Sequence, residues 1–129
     1  ACDYCKEINI GECIQRDDMA PLYKDIRECD TIAIFSPVYW WQVSAQAKLF
    51  IDRLYALQKE DLEGKKLVVV VNGEEKDGDK EYQVLNSAFL MMADYLKMDL
   101  RFLGLGTDGE ESWKDKEKWV EEFLQSTLN

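Results

Sequence analysis

Four groups of residues in this 129-residue chain have the types and spacing to do chemistry. They are the cysteines Cys2, Cys5 and Cys13, the aromatic run Tyr39, Trp40 and Trp41 inside "SPVYWWQVS", the acidic loop "NGEEKDGDKE" from Asn72, and "GLGTDGEES" from Gly104. Cys2-x2-Cys5-x7-Cys13 could supply thiolates to an iron-sulfur cluster or a zinc ion, but such a site needs four ligands. The remaining cysteine, Cys29, follows a predicted helix and lies far from the others. The expectation is reduced thiols with no metal and no disulfide. The sequence contains no histidine, which removes Ser-His-Asp and Cys-His nucleophile systems and HExxH zinc sites together. Any chemistry must come from carboxylates, thiols or a bound cofactor.

Three adjacent aromatics between an apolar run and a helix are costly to leave wet, so something should cover them. A Pro-started turn with flat rings and free backbone amides suits a planar heteroaromatic ring, which would be stacked and hydrogen-bonded there. The alternative is that Trp40 and Trp41 fill a loop core or a subunit interface. Gly104, Gly106 and Gly109 spell G-x-G-x-x-G between a predicted strand and a helix. No later strand supplies a ribose-binding acid, and Asp108, Glu110 and Glu111 would repel a pyrophosphate, so this reads as a turn whose acids serve the N-terminus of the last helix.

The elements that must position these groups follow from periodicity. "RDDMAPLYKDIREC" places Met19, Leu22, Tyr23 and Ile26 at helical spacing, with Asp17 or Asp18 as N-cap and Pro21 in the first turn. "TIAIF" (Thr31 to Phe35), "KLVVVV" (Lys66 to Val71) and "DLRFLGL" are three strands. The first two lack polar alternation, which predicts burial on both faces in a parallel sheet. Ser44 caps a helix carrying Ala47, Phe50, Ile51 and Leu54, a third helix spans roughly Lys80 to Lys97, and Ser112 starts a terminal one. The order α-β-α-β-α-β-α predicts an α/β fold with helices on both faces of an open sheet, as a single domain over residues 1–129. Three strands make a thin sheet in which Thr31 to Phe35 looks central, so a neighbour beside it is missing. In such sheets ligands bind beyond the carboxyl ends of the strands, where the aromatic run and both acidic loops converge.

With 16 basic and 26 acidic residues the net charge is -10. That opposes nucleic acid and anionic membranes as partners. No apolar segment approaches the ~20 residues that cross a bilayer, and the first residues resemble no signal peptide, so a cytoplasmic protein is expected.

One resemblance covers Gly11 to Leu54 densely. "GECIQRDDM" followed by "DTIAIFSPVYWWQVSAQAKLFIDRL" resembles the NAD(P)H-dependent FMN reductase family of flavodoxin-like proteins, related to iron-sulfur flavoproteins. There a pattern close to C-x3-D-D-M precedes S-P-V-Y-W-x2-V-S-A-Q-x-K-x-F-x-D-R. The resemblance implies a flavodoxin-like open parallel sheet and a flavin oxidoreductase that passes electrons from NAD(P)H through FMN to a small acceptor. It implies that Ser36, Pro37, Val38, Tyr39 and Trp40 embrace the isoalloxazine ring. The loop Asn72, Gly73, Glu74 to Gly78 would approach the flavin's other side, with Gly73 letting the backbone come close. No catalytic side chain is implied. Lys48 and Asp52, one turn apart, are expected to brace the helix. Family members open with a strand, a Ser/Thr- and Gly-containing loop holding the FMN phosphate at a helix N-terminus, and a second strand. This sequence begins within the cysteine segment that follows them. The resemblance therefore implies a sheet without its first two strands, Thr31 to Phe35 as an open edge, and weak or lost FMN binding. That edge is expected to be covered by the first part of a longer protein or by another copy in a homodimer. The alternative function is a non-catalytic dimerising or interaction domain.

Overall fold

The computed structural model describes residues 2–108 and 113–128, without the side chains of Trp113 and Leu128. The elements in chain order are α1 (Tyr4–Glu7), α2 (Met19–Glu28), β1 (Thr31–Tyr39), β2 (Gln42–Val43), α3 (Ala45–Arg53), two single 3-10 turns (Leu54–Ala56 and Lys59–Asp61), β3 (Lys66–Gly73), α4 (Lys80–Leu96), β4 (Asp99–Gly106) and α5 (Trp113–Leu128). The expected start of the last helix at Ser112, and the acids Glu110 and Glu111 with Gly109, lie outside the described residues.

The sheet has the order β2-β1-β3-β4. β1, β3 and β4 run parallel, aligned Ile34↔Val69↔Phe102, and β2 returns antiparallel against the end of β1. The expectation of three strands is thus corrected to four. The fourth has two residues and covers the outer edge of β1 only at Val38 and Tyr39, so among the described residues β1 is paired along Thr31–Pro37 on one side, to β3.

β3 fits its sequence pattern: Leu67, Val68, Val69, Val70 and Val71 are all buried. Each contributes roughly 1.5–3 kcal/mol by leaving water. Leu67, Val69 and Val71 face a core shared with Tyr23, Ile26, Leu54, Leu85 and Phe89. Val68 and Val70 point the other way, to the face crossed by α5, where Lys66 Nζ donates to Thr127 O (2.6 Å). β1 departs from expectation. Ile32, Ile34 and Ser36 are buried while Ala33 and Phe35 are exposed, Phe35 by 58 %. An apolar strand reads as doubly buried only when both faces have a cover, and over β1 one face has none among the described residues.

α3 begins as predicted, with Ser44 Oγ accepting from Ala47 N (3.3 Å). For α2, Asp18 is the N-cap residue but makes no side-chain bond, and Asp17 Oδ1 accepts from Met19 N (3.2 Å) instead. Asp17 also receives both guanidinium nitrogens of Arg53, with Nη2 to Oδ1 at 3.0 Å, joining the start of α2 to the end of α3. Tyr23 Oη adds a bond to Arg53 O (3.2 Å). This pairing gives the D-D-M and D-R segments a common physical reason. Lys48 and Asp52 pair along α3, as their spacing predicts.

Candidate functional site

β1 runs on through Ser36, Pro37, Val38 and Tyr39 and turns back at Trp40 and Trp41 into β2. A two-residue hairpin turn of this kind needs positive φ at both central positions, which favours Asn-Gly. Here the two positions are tryptophans at φ 49° and 59°. A bulky residue in the left-handed region is an outlier, held there by its surroundings and concentrated at functional sites. The rings meet edge to face, with centroids 5.7 Å apart, and are 87 % and 57 % exposed. Ser36 braces the hairpin from inside: its buried hydroxyl accepts from Ser44 N (2.8 Å) and donates to Pro37 O (2.9 Å).

The facing wall rises from the end of β3. Pro37 is in register with Asn72, and the acidic loop leaves the sheet at Gly73. A Cβ at Gly73 would lie 2.2 Å from Glu81 Oε1 and 3.0 Å from Tyr82 Oη, so the close approach there is occupied by this chain's own α4. Glu81 is 9 % exposed, and among the described residues its Oε1, packed against Gly73, has no hydrogen-bond partner of ordinary geometry. Tyr82 Oη donates to Glu75 O (3.2 Å). Burial, and then the neighbouring Glu81 carboxylate, hold the Tyr82 phenol well above its ordinary range.

The loop is fastened on its far side. Asp77 Oδ1 accepts from Gly106 N (2.6 Å), and Asp77 Oδ2 lies 3.1 Å from Lys116 Nζ, which also donates to Gly106 O. The Lys116 side chain is only 4 % exposed. Gly106 is required here, because a Cβ would fall 2.0 Å from Glu75 O and 2.6 Å from Asp77 N.

Between the walls is a cleft of about 450 Å³ lined by Val38, Tyr39, Trp40, Trp41, Glu74, Glu75 and Glu81. Its size is that of a small-molecule site. A second hollow, lined by Glu74, Glu75, Thr107 and Asp108, adjoins it. Of the residues singled out in the sequence, Val38, Tyr39, Trp40 and Glu74 come together on the cleft. Ser36 lies beneath it with its hydroxyl engaged, Pro37, Asn72 and Gly73 form the strand ends, and Gly78 (φ 80°) sits further along the loop, away from the lining. Glu75 lies within the loop expected beside the ring, whereas Glu81, the last residue of the quoted acidic stretch, has no place in the site assigned from sequence. Glu81 lies in the first turn of α4, where an acid reads as ordinary dipole complementation.

The four cysteines are free thiols. Cys5 is 6 % exposed within the core, Cys13 and Cys29 are half-buried against it, and Cys2 is exposed. Among the described residues no three His, Cys, Asp or Glu side chains gather as metal ligands, so the thiols as placed here do not fit a cluster. No helix among the described residues is long and apolar enough to cross a membrane.

The cleft fits a flat heteroaromatic ring, with two indoles and a phenol along one wall and strand-end backbone beside them. It does not fit a phosphate: its lining has three carboxylates and no cation.

A 44-residue segment is 52 % identical to an iron-sulfur flavoprotein of Archaeoglobus fulgidus, covering 34 % of this chain and 20 % of that protein. An 83-residue segment is 32 % identical to an iron-sulfur flavoprotein of Methanocaldococcus jannaschii, covering 62 % of this chain and 41 % of that one. The chain thus matches less than half the length of these relatives. Among solved structures, an NADPH-quinone reductase from P. pentosaceus superposes with a TM-score of 0.70 at 19 % identity, over 91 % of this chain and 78 % of that one. The Trp repressor binding protein from Bacillus subtilis gives 0.63 at 19 %, over 88 % and 71 %. At these identities the likeness establishes the flavodoxin-like fold. The family model described as NADPH-dependent FMN reductase matches residues 2–100, and the chain belongs to that family.

Proposed function

We propose that this chain supplies the ring-binding part of a flavin-dependent oxidoreductase, with FMN as the redox group, NAD(P)H as hydride donor and a small molecule as acceptor. The observation that carries the reading is the cleft beyond the carboxyl ends of β1 and β3, walled by Tyr39, Trp40 and Trp41. Val38, Tyr39 and Trp40 would face the ring, and Ser36 and Pro37 would hold their backbone. Asn72, Gly73 and Glu74 to Gly78 would form the opposite side. FMN, when bound, supplies the electron transfer; the protein's share is position, exclusion of water and the local field. The test is reconstitution of the purified chain with FMN, followed by NADH or NADPH without oxygen. Bleaching of the yellow flavin supports the reductase. A yellow protein inert to both donors restricts it to electron carriage, and a colourless protein that ignores FMN and riboflavin contradicts the flavin reading.

One observation favours a second reading, that of a dimerising domain. Among the described residues the outer edge of β1 is unpaired along Thr31–Pro37, and Phe35 is 58 % exposed. We infer that a second copy pairs with this edge across a two-fold axis, burying the strand and Phe35 together. Sedimentation as a dispersed, well-folded monomer would refute the pairing without touching the flavin site.

A further inference from the structure

A larger cavity, of about 580 Å³, lies where the last turns of α3 and α4 meet α1 and the two 3-10 turns. It is separate from the cleft. Its α4 residues are Met92, Tyr95 and Leu96, whereas the cleft takes Glu81 from the first turn of that helix, roughly 16–22 Å away along the axis. Ile51, Leu54, Leu57, Met92 and Leu96 give the cavity an apolar floor. The same lining carries two ammonium groups that have no carboxylate partner among the described residues. Lys6 Nζ lies 5.0 Å from the Tyr55 ring centroid and donates to Leu57 O (2.7 Å), and Lys59 Nζ lies 4.9 Å from the Tyr95 centroid. A ring face holds an ammonium in place without neutralising it, so both charges remain to be met. In a chain with 26 acids and a net charge of -10, two such lysines on one cavity call for a reason. Of the acids on the lining, Asp52 is paired with Lys48 and Glu60 is exposed. Gln58 Nε2, on the same lining, is buried with no acceptor among the described residues, which adds an unmet donor.

We propose that this cavity is a second binding site, for an organic anion: a carboxylate carried on a flat apolar body. The body leaves water against the leucines, Ile51 and Met92. The carboxylate accepts from Lys6 and Lys59, whose flexible four-carbon stems let each ammonium reach an oxygen, and such charge-assisted hydrogen bonds are roughly twice as strong as neutral ones. An uncharged molecule of the same body keeps the floor and loses the lysines. The site shares no lining residue with the cleft, so it stands whether or not a flavin binds there.

The test is calorimetry on the purified chain with three probes of one body: 2-naphthoate, uncharged 2-naphthylmethanol and 2-naphthylmethylammonium. Naphthoate is expected to bind one per chain, about fivefold or more tighter than the alcohol, with the ammonium weakest. Lys59→Met removes a side chain that makes no hydrogen bond among the described residues, so the fold should stand while the preference for naphthoate over the alcohol falls severalfold. Lys59→Arg should retain that preference. Lys80→Gln takes the same charge from the exposed first residue of α4, far from the cavity, and should leave it intact. Equal affinity for acid and alcohol overturns the proposal. So does a preference that survives Lys6→Met and Lys59→Met together, or one that falls as far in Lys80→Gln, since it would then reflect net charge alone. A riboflavin titration separates the two sites. Displacement of naphthoate by riboflavin overturns the proposal, because the probe would then occupy the cleft, whereas a lysine-dependent naphthoate site in a chain that ignores riboflavin defeats the flavin reading alone.

Discussion

Replacing Trp40 by asparagine separates what the indole does for the fold from what it does for the cleft. Trp40 sits at φ 49°, where an ordinary L-residue costs roughly 1–2 kcal/mol and asparagine far less. Being 87 % exposed, it removes on the order of 30 Å² from water, worth about 0.8 kcal/mol. The edge contact with Trp41 at 5.7 Å adds about 0.5 kcal/mol at such an exposed position. Relief and loss nearly cancel, so Trp40→Asn is expected to leave stability within about 1 kcal/mol of the parent, a melting shift of no more than ~5 °C. Ligand binding is expected to behave differently. Losing one stacking wall removes about 1.4 kcal/mol, so riboflavin affinity falls about tenfold. Thermal denaturation and riboflavin fluorescence titration read the two effects on one sample. A loss of more than about 2 kcal/mol in stability would mean that the indole belongs to the packing. Unchanged riboflavin affinity would mean that it is no wall of the site.

Three further outcomes are expected. Lys116→Met removes a cation whose side chain is 4 % exposed and strips Asp77 of its partner, so urea denaturation should show about 3 kcal/mol of lost stability; a change below about 0.5 kcal/mol would contradict the described fastening. The Asp17 carboxyl is held below its ordinary value first by its hydrogen bonds with Arg53, so its contribution is present above the usual carboxylate range and disappears as pH falls through the lowered value. Asp17→Asn should accordingly flatten part of the acid limb of the stability profile, and an NMR titration placing Asp17 at or above the usual value would refute the assignment. FMN is expected to bind no tighter than riboflavin, because the cleft lining sets carboxylates and no cation before its phosphate; tenfold tighter FMN binding would reveal a phosphate contact outside that lining.

The parts of this fold legible in sequence are those where one physical signal acts alone. The apolar run of β3 has a cover on each face, so pattern and burial agree from Leu67 to Val71. Ser44 caps α3 and α4 keeps its apolar period, both being local matters. β1 read as doubly buried because composition records what a strand could bury and not whether a neighbour is there, which is how Phe35 comes to be exposed. β2 went unseen because its turn violates turn chemistry: nothing in Trp-Trp announces two positive φ values. Glu81 was hidden by topology. Its place on the cleft depends on Gly73 leaving room beside the last residue of β3, a contact that no helical period encodes. The aromatic run and the loop carrying Glu74 and Glu75 were thus readable from sequence, and the place of Glu81 needed the fold.

The central claim, that a flavin ring lies against the Trp40–Trp41 hairpin, is tested most directly by titrating riboflavin into a Trp113→Phe, Trp119→Phe chain, in which the two hairpin tryptophans are the remaining indoles. The account predicts saturable quenching with one riboflavin per chain, weakened about tenfold by the further change Trp40→Asn. Emission that stays constant up to the solubility limit of riboflavin, or quenching indifferent to Trp40→Asn, would contradict it.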